Sequence, residues 1–146
     1  MHRFALIVAV LLAAHADAHA TEIPMIPLEI SGHTMSVEVA HTQLSRSQGL
    51  MYRESLEENS GMLFVFPSSG YYSMWMKNTY IPLSVAFIDV RGVILNIADM
   101  QPETLTSHDA AGVAKYALEM NKGWFAARKI TAGAQVTGLE RAPAAD

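Results

Sequence analysis

No cysteine occurs among the 146 residues. Disulfide frameworks, thiolate zinc sites, iron–sulfur ligation and thiol catalysis are excluded together. Positive charge is scarce: Lys and Arg number 10 against 14 Asp and Glu, a net charge of −4 with a pI near 5.8. Such a chain has no basic excess to track a phosphate backbone, so a nucleic-acid reader is disfavoured. Aromatic residues, at 8%, are too few for a stacking platform along a single strand. No G-x-S-x-G nucleophile elbow occurs. Gly133 to Gly138 is not followed by the Lys-Ser of a phosphate-cradling loop. His33, His41 and His108 are scattered without ligand spacing. No cofactor and no metal site is therefore expected.

One long apolar run is present, and it stands at the start. Met1-His2-Arg3 is followed by Phe4 to Ala14 and then by the small residues of His15-Ala16-Asp17-Ala18-His19-Ala20. The run is too short to cross a bilayer and suits a signal peptide, with Ala18-His19-Ala20 as the cleavage site and Ala16-Asp17-Ala18 as the second option. The expectation is a leader over 1–20 and one globular domain over 21–146, frayed from about 140 and exported to a periplasm. No Cys follows the run, which excludes a lipid-modified lipoprotein, and no second such run follows, so no membrane insertion is expected after cleavage.

The whole sequence is 51% apolar and 16% charged, and the part after the leader reads as a folded domain of short strands. Residues 26–30 and 35–39 alternate with period two around Ser31-Gly32-His33, giving a hairpin. Thr42 is placed to cap a helix over about 42–52, with Ser45 in the position that a capping box gives to Glu. Met62 to Phe66 is continuously apolar, as in a strand covered on both faces, and Pro67 to Gly70 is expected to break it. Residues 72–77 read as a strand with Tyr72, Met74 and Met76 on one side and Ser73, Trp75 and Lys77 on the other. Asp89-Val90-Arg91-Gly92 turns one strand into its partner, 83–90 into 93–98. A polar loop over 101–112, a strand over 116–120, a helical piece over 124–129 and a last strand over 135–137 complete the pattern. The fold class predicted is α+β: a small, strongly curled, mostly antiparallel, barrel-like sheet with one or two short helices.

Four stretches combine aromatic and charged residues: Arg46 with residues 49–53, residues 61–64, residues 75–79, and residues 116–119 with Gly123-Trp124. In this order they resemble the domain of unknown function 192 family, small bacterial and archaeal proteins that are often exported. Trp75-Met76-Lys77-Asn78-Thr79, then Ile81-Pro82-Leu83 and Phe87-Ile88-Asp89, carry the resemblance most specifically, and it extends from about Ile26 to Val136. It implies a compact α+β domain with a curled sheet and brings no activity with it. Three positions depart from the family pattern: Ser84 and Ala134 stand where acids are common, and Val113-Ala114-Lys115 where a Pro is frequent.

The candidate site is an aromatic and basic cleft built from Arg46, Arg53, Trp75, Lys77, Asn78 and Glu119, suited to a small polar or anionic ligand. Structural roles compete with it. Lys77 can lie along the surface while Asn78 and Thr79 serve local backbone groups. Glu119 is read first as the ion-pair partner of Arg46 or Arg53, and second as a general base. Asp89 is explained by its turn. Two further readings are a cell-envelope hydrolase using Glu119 with Lys77, and copper handling through Met74 and Met76. The eight methionines after the leader are taken as core filler instead, so no tight cuprous site is expected. The oligomeric state is not legible. Expressed with its leader in a Gram-negative host, the protein should be recovered from the periplasm beginning at Thr21 or His19. Intact-mass measurement checks this, and a membrane-bound form still beginning at Met1 contradicts it.

Overall fold

Alternation of apolar and polar residues sets the first hairpin. On β1 (Met25–Ile30) the side chains of Ile26, Leu28 and Ile30 are buried, while Met25, Pro27 and Glu29 face outward. Ser31 and Gly32, both at positive φ, form the two-residue turn into β2 (His33–Ala40). The computed structural model describes residues 23–146, so the leader expected over 1–20 lies outside the described residues.

Thr42 caps α1 (Gln43–Gln48): its Oγ1 accepts from the Ser45 amide at 3.1 Å, and its own amide donates to Ser45 Oγ at 3.0 Å. Ser45 completes the capping box. The helix is shorter than the expected 42–52 because Gly49, at φ +49, ends it. The chain then enters β3 (Ser60–Gly70), which pairs with β2 in parallel. β3 runs on through Pro67 to Gly70, but its pairing with the antiparallel strand at Ala114–Asn121 is irregular there, the register shifting between Val65 and Gly70.

The strand expected over 72–77 shrinks to β4 (Ser73–Met74). Past Met74 the chain turns, with the Thr79 amide donating to the Met76 carbonyl and Asn78 at φ +51. The alternation of burial survives: Met76 is fully buried, and Trp75 and Lys77 are exposed. β5 (Leu83–Ile88) and β6 (Ile94–Met100) form the expected antiparallel hairpin. Inside the polar loop lies β7 (His108–Asp109), which pairs with β4 as a two-stranded ribbon. β8 (Ala114–Asn121), α2 (Trp124–Ala127) and β9 (Val136–Thr137) follow, with a 3-10 turn at Leu139–Arg141.

The main sheet has the order β6-β5-β8-β3-β2-β1-β9. It curls until its two ends meet: Val93 bridges Gln135, and Ile94 donates to the Ala134 carbonyl and accepts from the Gly133 amide at 2.9 and 2.8 Å. The Asp89 turn positions this seam. The Asp89 carboxylate accepts from the amides of Arg91 and Val93, and Gly92, at φ +85, has no room for a Cβ beside Gln135 and Val136. Burial raises the Asp89 pKa, but those amides and the Arg91 guanidinium outweigh it, so the carboxyl stays below its ordinary range. A structural reason for Asp89 is thus complete.

Two apolar layers result. One fills the inside of the curl, with Leu28, Val37, Leu63, Ile88 and Leu118 closed off by Trp124 and Phe125 of α2. The other lies on the opposite face of β3, β5 and β8, where Met62, Phe64, Phe87 and Ala117 pack under Leu50, Met76, Ile81 and Met100. Among the described residues no helix is long and apolar enough to cross a membrane. The two layers give Met76 and Lys77 opposite fates. Met76→Ala should cost about 2–5 kcal/mol as a core truncation, and Lys77→Ala should stay within about 0.5 kcal/mol; urea melts of the two variants check the contrast.

Candidate functional site

The outer apolar layer is roofed by irregular chain: α1 with the residues after it, the β4–β7 ribbon, and the turns between Met76 and Leu83. Chemistry-bearing side chains gather on this roof. Gln43, Arg46 and Ser47 lie at i, i+3 and i+4 on one face of α1, and they face Tyr72, Ser73, Met74 and Trp75 across a cleft of about 420 Å³. Phe64, Phe66 and Pro67 form its floor. Phe66 and Tyr72 stack with ring centroids 3.7 Å apart and planes 9° from parallel. Tyr72 is held there by its hydroxyl, which donates to the Ser68 carbonyl at 2.6 Å.

Arg46 is fixed by carbonyls. One guanidinium nitrogen donates to the His41 and Val65 carbonyls at 2.7 and 3.2 Å, and the other to the main-chain oxygen of Asp146. Among the described residues no carboxylate side chain pairs with it. Main-chain oxygens therefore hold it at the wall of the cleft. Trp75, 49% exposed, forms the other wall, and the Lys77 ammonium lies 5.3 Å from its ring centroid.

The remaining sequence candidates go elsewhere. Arg53 forms a two-pronged ion pair with Glu38 and lines a second groove with Val39, Thr42, Leu44 and Gln48. Asn78 donates its amide to the Tyr52 hydroxyl at 3.0 Å, and the Tyr52 ring meets Tyr80 edge-on at 6.3 Å. Glu119 lies within the sheet, between Met62 of β3 and Val85 of β5 on its neighbouring strands. It is 4% exposed, and the expected ion pair with Arg46 or Arg53 is not formed. The physical reason is that both faces of β8 are covered: Leu118 and Met120 point into the curl, and Glu119 points into the outer layer rather than toward solvent. Burial alone pushes its carboxyl up to about 8.

Gln43, Ser47, Phe66 and Tyr72 were not among the sequence candidates. The helical spacing of Gln43, Arg46 and Ser47 carried that signal; the stacking of Phe66 on Tyr72 needed the tertiary fold. Ser84, at the position where the family often has an acid, is buried away from the cleft. It donates to Asp99 at 2.6 Å and accepts from the Gly123 amide at 3.0 Å, tying β5 to β6 and to the start of α2. Among the described residues no three His, Asp or Glu side chains gather as they would around a metal ion.

Residues 26–138 match the model of the DUF192 family, described as uncharacterized ACR. The chain belongs to that family. Its fold is similar to that of a crystallised protein from Sinorhizobium meliloti 1021, described as a candidate transcription regulator. The two are 32% identical, with a TM-score of 0.77 over 80% of this chain and 95% of that one. It is also similar to a protein of unknown function from Novosphingobium aromaticivorans DSM 12444, at 30% identity and a TM-score of 0.78 over 82% of this chain and 89% of the other. No curated protein matches the chain.

Glu119 gives a pH dependence whose sign is fixed. Its folded pKa, about 8, lies above the ordinary 4.5, so folding binds a proton between those values. The favourable contribution is full below about pH 4.5 and is lost as pH rises through 8. Glu119→Gln should keep the neutral form at all pH and flatten the decline. Urea midpoints of both proteins from about pH 5 to 9 check this, and parallel curves contradict it.

Proposed function

We propose that the protein is an exported binding domain whose ligand occupies the cleft between α1 and the Trp75 segment. The observation that carries this reading is the meeting of Arg46 and Trp75 across one cavity. A guanidinium without a side-chain carboxylate partner sits opposite a half-exposed indole, in a cleft also lined by Gln43, Ser47 and Ser73. The volume falls in the range of small-molecule sites, and an aromatic wall facing a few polar groups is their usual lining. A small ligand with a planar or apolar face and an anionic or hydroxyl-bearing edge fits that chemistry. Export is supported by the leader pattern at residues 1–20.

The hydrolase reading has less support. Glu119 is buried within the outer layer and Lys77 rests on the exposed Trp75 ring, with no ion pair between them. A transcriptional role like the one offered for the Sinorhizobium protein is disfavoured by the net charge of −4.

A thermal-shift screen of carboxylates, phosphates and small sugars on the purified protein tests the proposal. A ligand present at 100 times its dissociation constant should add about 2.7 kcal/mol of stability. It should also change the fluorescence of Trp75, whereas Trp124, 3% exposed, stays silent. Arg46→Ala and Trp75→Leu should each abolish the shift. A binder whose effect survives both substitutions would place the ligand outside this cleft.

A further inference from the structure

Among the described residues, one buried side-chain nitrogen or oxygen is left without a hydrogen-bond partner: Nε2 of His108. A buried polar atom with no partner costs about 1–3 kcal/mol and calls for an explanation such as an ion. His108 lies on β7 directly opposite Met74 of β4, one residue along from the Ser73–Asp109 pair and so on the other face of the ribbon. Residues opposed in this way project to the same face with Cβ atoms about 5 Å apart, within reach of a shared ion for an imidazole and a thioether. That face is the inner one. Met74 packs against the outer apolar layer, and Met76 is fully buried within it. Met74 also lines the Arg46–Trp75 cleft, which gives an ion a route from solvent.

We propose that Met74 and His108, with Met76 behind them, form a binding site for a single soft monovalent cation, Cu(I). Thioether sulfur prefers Cu(I) over Zn(II), Mg(II) or Ca(II), and a bare imidazole nitrogen is a competent second ligand. The ribbon supplies no carboxylate to this face: Asp109 points to the other side, where it accepts from Ser73 and Ser107. The donor set thus selects against hard divalent ions, and the apolar surroundings favour a cation of low charge. No electron transfer is involved; the ion enters and leaves as Cu(I). On this proposal Met74 and Met76 pack in the outer layer, as the sequence suggests, and also serve as ligands. His108 stands too far along the chain for the sequence to have joined it to Met74.

The experiment uses Ag(I), a redox-inert stand-in, and Cu(I) held reduced by ascorbate against a chromogenic chelator. The expected result is one ion per chain. It should shift the methyl resonances of Met74 and Met76 and the ring resonances of His108 in NMR spectra, while those of Met35 and Met120, inside the curl, stay put. Met74→Leu and His108→Gln preserve size, and each should weaken binding by more than the about 10- to 100-fold lost when only a supporting partner of a metal site is removed. Unchanged urea midpoints show that the variants still fold; if one does not, the resonance shifts of the unmodified protein decide alone. Arg46→Ala should bind the ion as before, which separates this site from the proposed ligand cleft. Absence of a stoichiometric complex, or equal affinity in the Met74→Leu, His108→Gln double variant, overturns the proposal.

Discussion

The central strands β3, β5 and β8 are buried on both faces, and that requirement shapes the whole molecule. A sheet of this size can close its inner face by curling and plugging the opening with Trp124 and Phe125. Its outer face has no helix layer available, because α1 and α2 are too short to cover three strands. The cover is made from loops instead. Those loops must place apolar side chains such as Leu50, Met76, Ile81 and Met100 inward while their backbone groups remain satisfied. Turns at Tyr52, Asn78 and Glu103, all at positive φ, are one answer: the Tyr52 amide donates to the Asn78 carbonyl, and the Glu103 amide to that of Thr79. A roof of loops is also where side-chain functional groups are free to converge.

This explains which parts of the molecule could be read in advance. Hairpins and turns follow local rules, so Ser31-Gly32, the Thr42 cap and the Asp89 turn are legible residue by residue. The curled sheet follows from the number of short strands and their hairpin connections. The parallel pairing of β2 with β3 and the run of β3 through Pro67 depend on partners elsewhere, and no periodicity announces them. The Trp75 segment shows the division within one stretch. Its alternation of inward and outward residues is visible in the sequence, but its departure from strand geometry after Met74 comes from the turn at Thr79 and Asn78.

The candidate site divides along the same line. Arg46 and Trp75 do share a cleft, and Lys77 does lie beside the indole. Arg53 goes to Glu38 because β2 presents that carboxylate to the outer layer at a register position next to Met62. Glu119 is two strands from Glu38 on the same row, with Met62 between them, and it receives no cation. Counting charges along the chain cannot reveal which of two carboxylates in one row an arginine will choose.

The seam between β1 and β9 has a consequence for the order in which the chain can fold. Glu29 and Ile30 pair with Thr137 and Val136, so the first described strand is held on one side by nearly the last residues of the domain. Val93 likewise waits for Gln135. During synthesis from the N-terminus, the curl cannot close until the final strand has emerged, and contacts of such long range form slowly. A chain threaded through a membrane channel in extended form would therefore reach the far side before its barrel could lock.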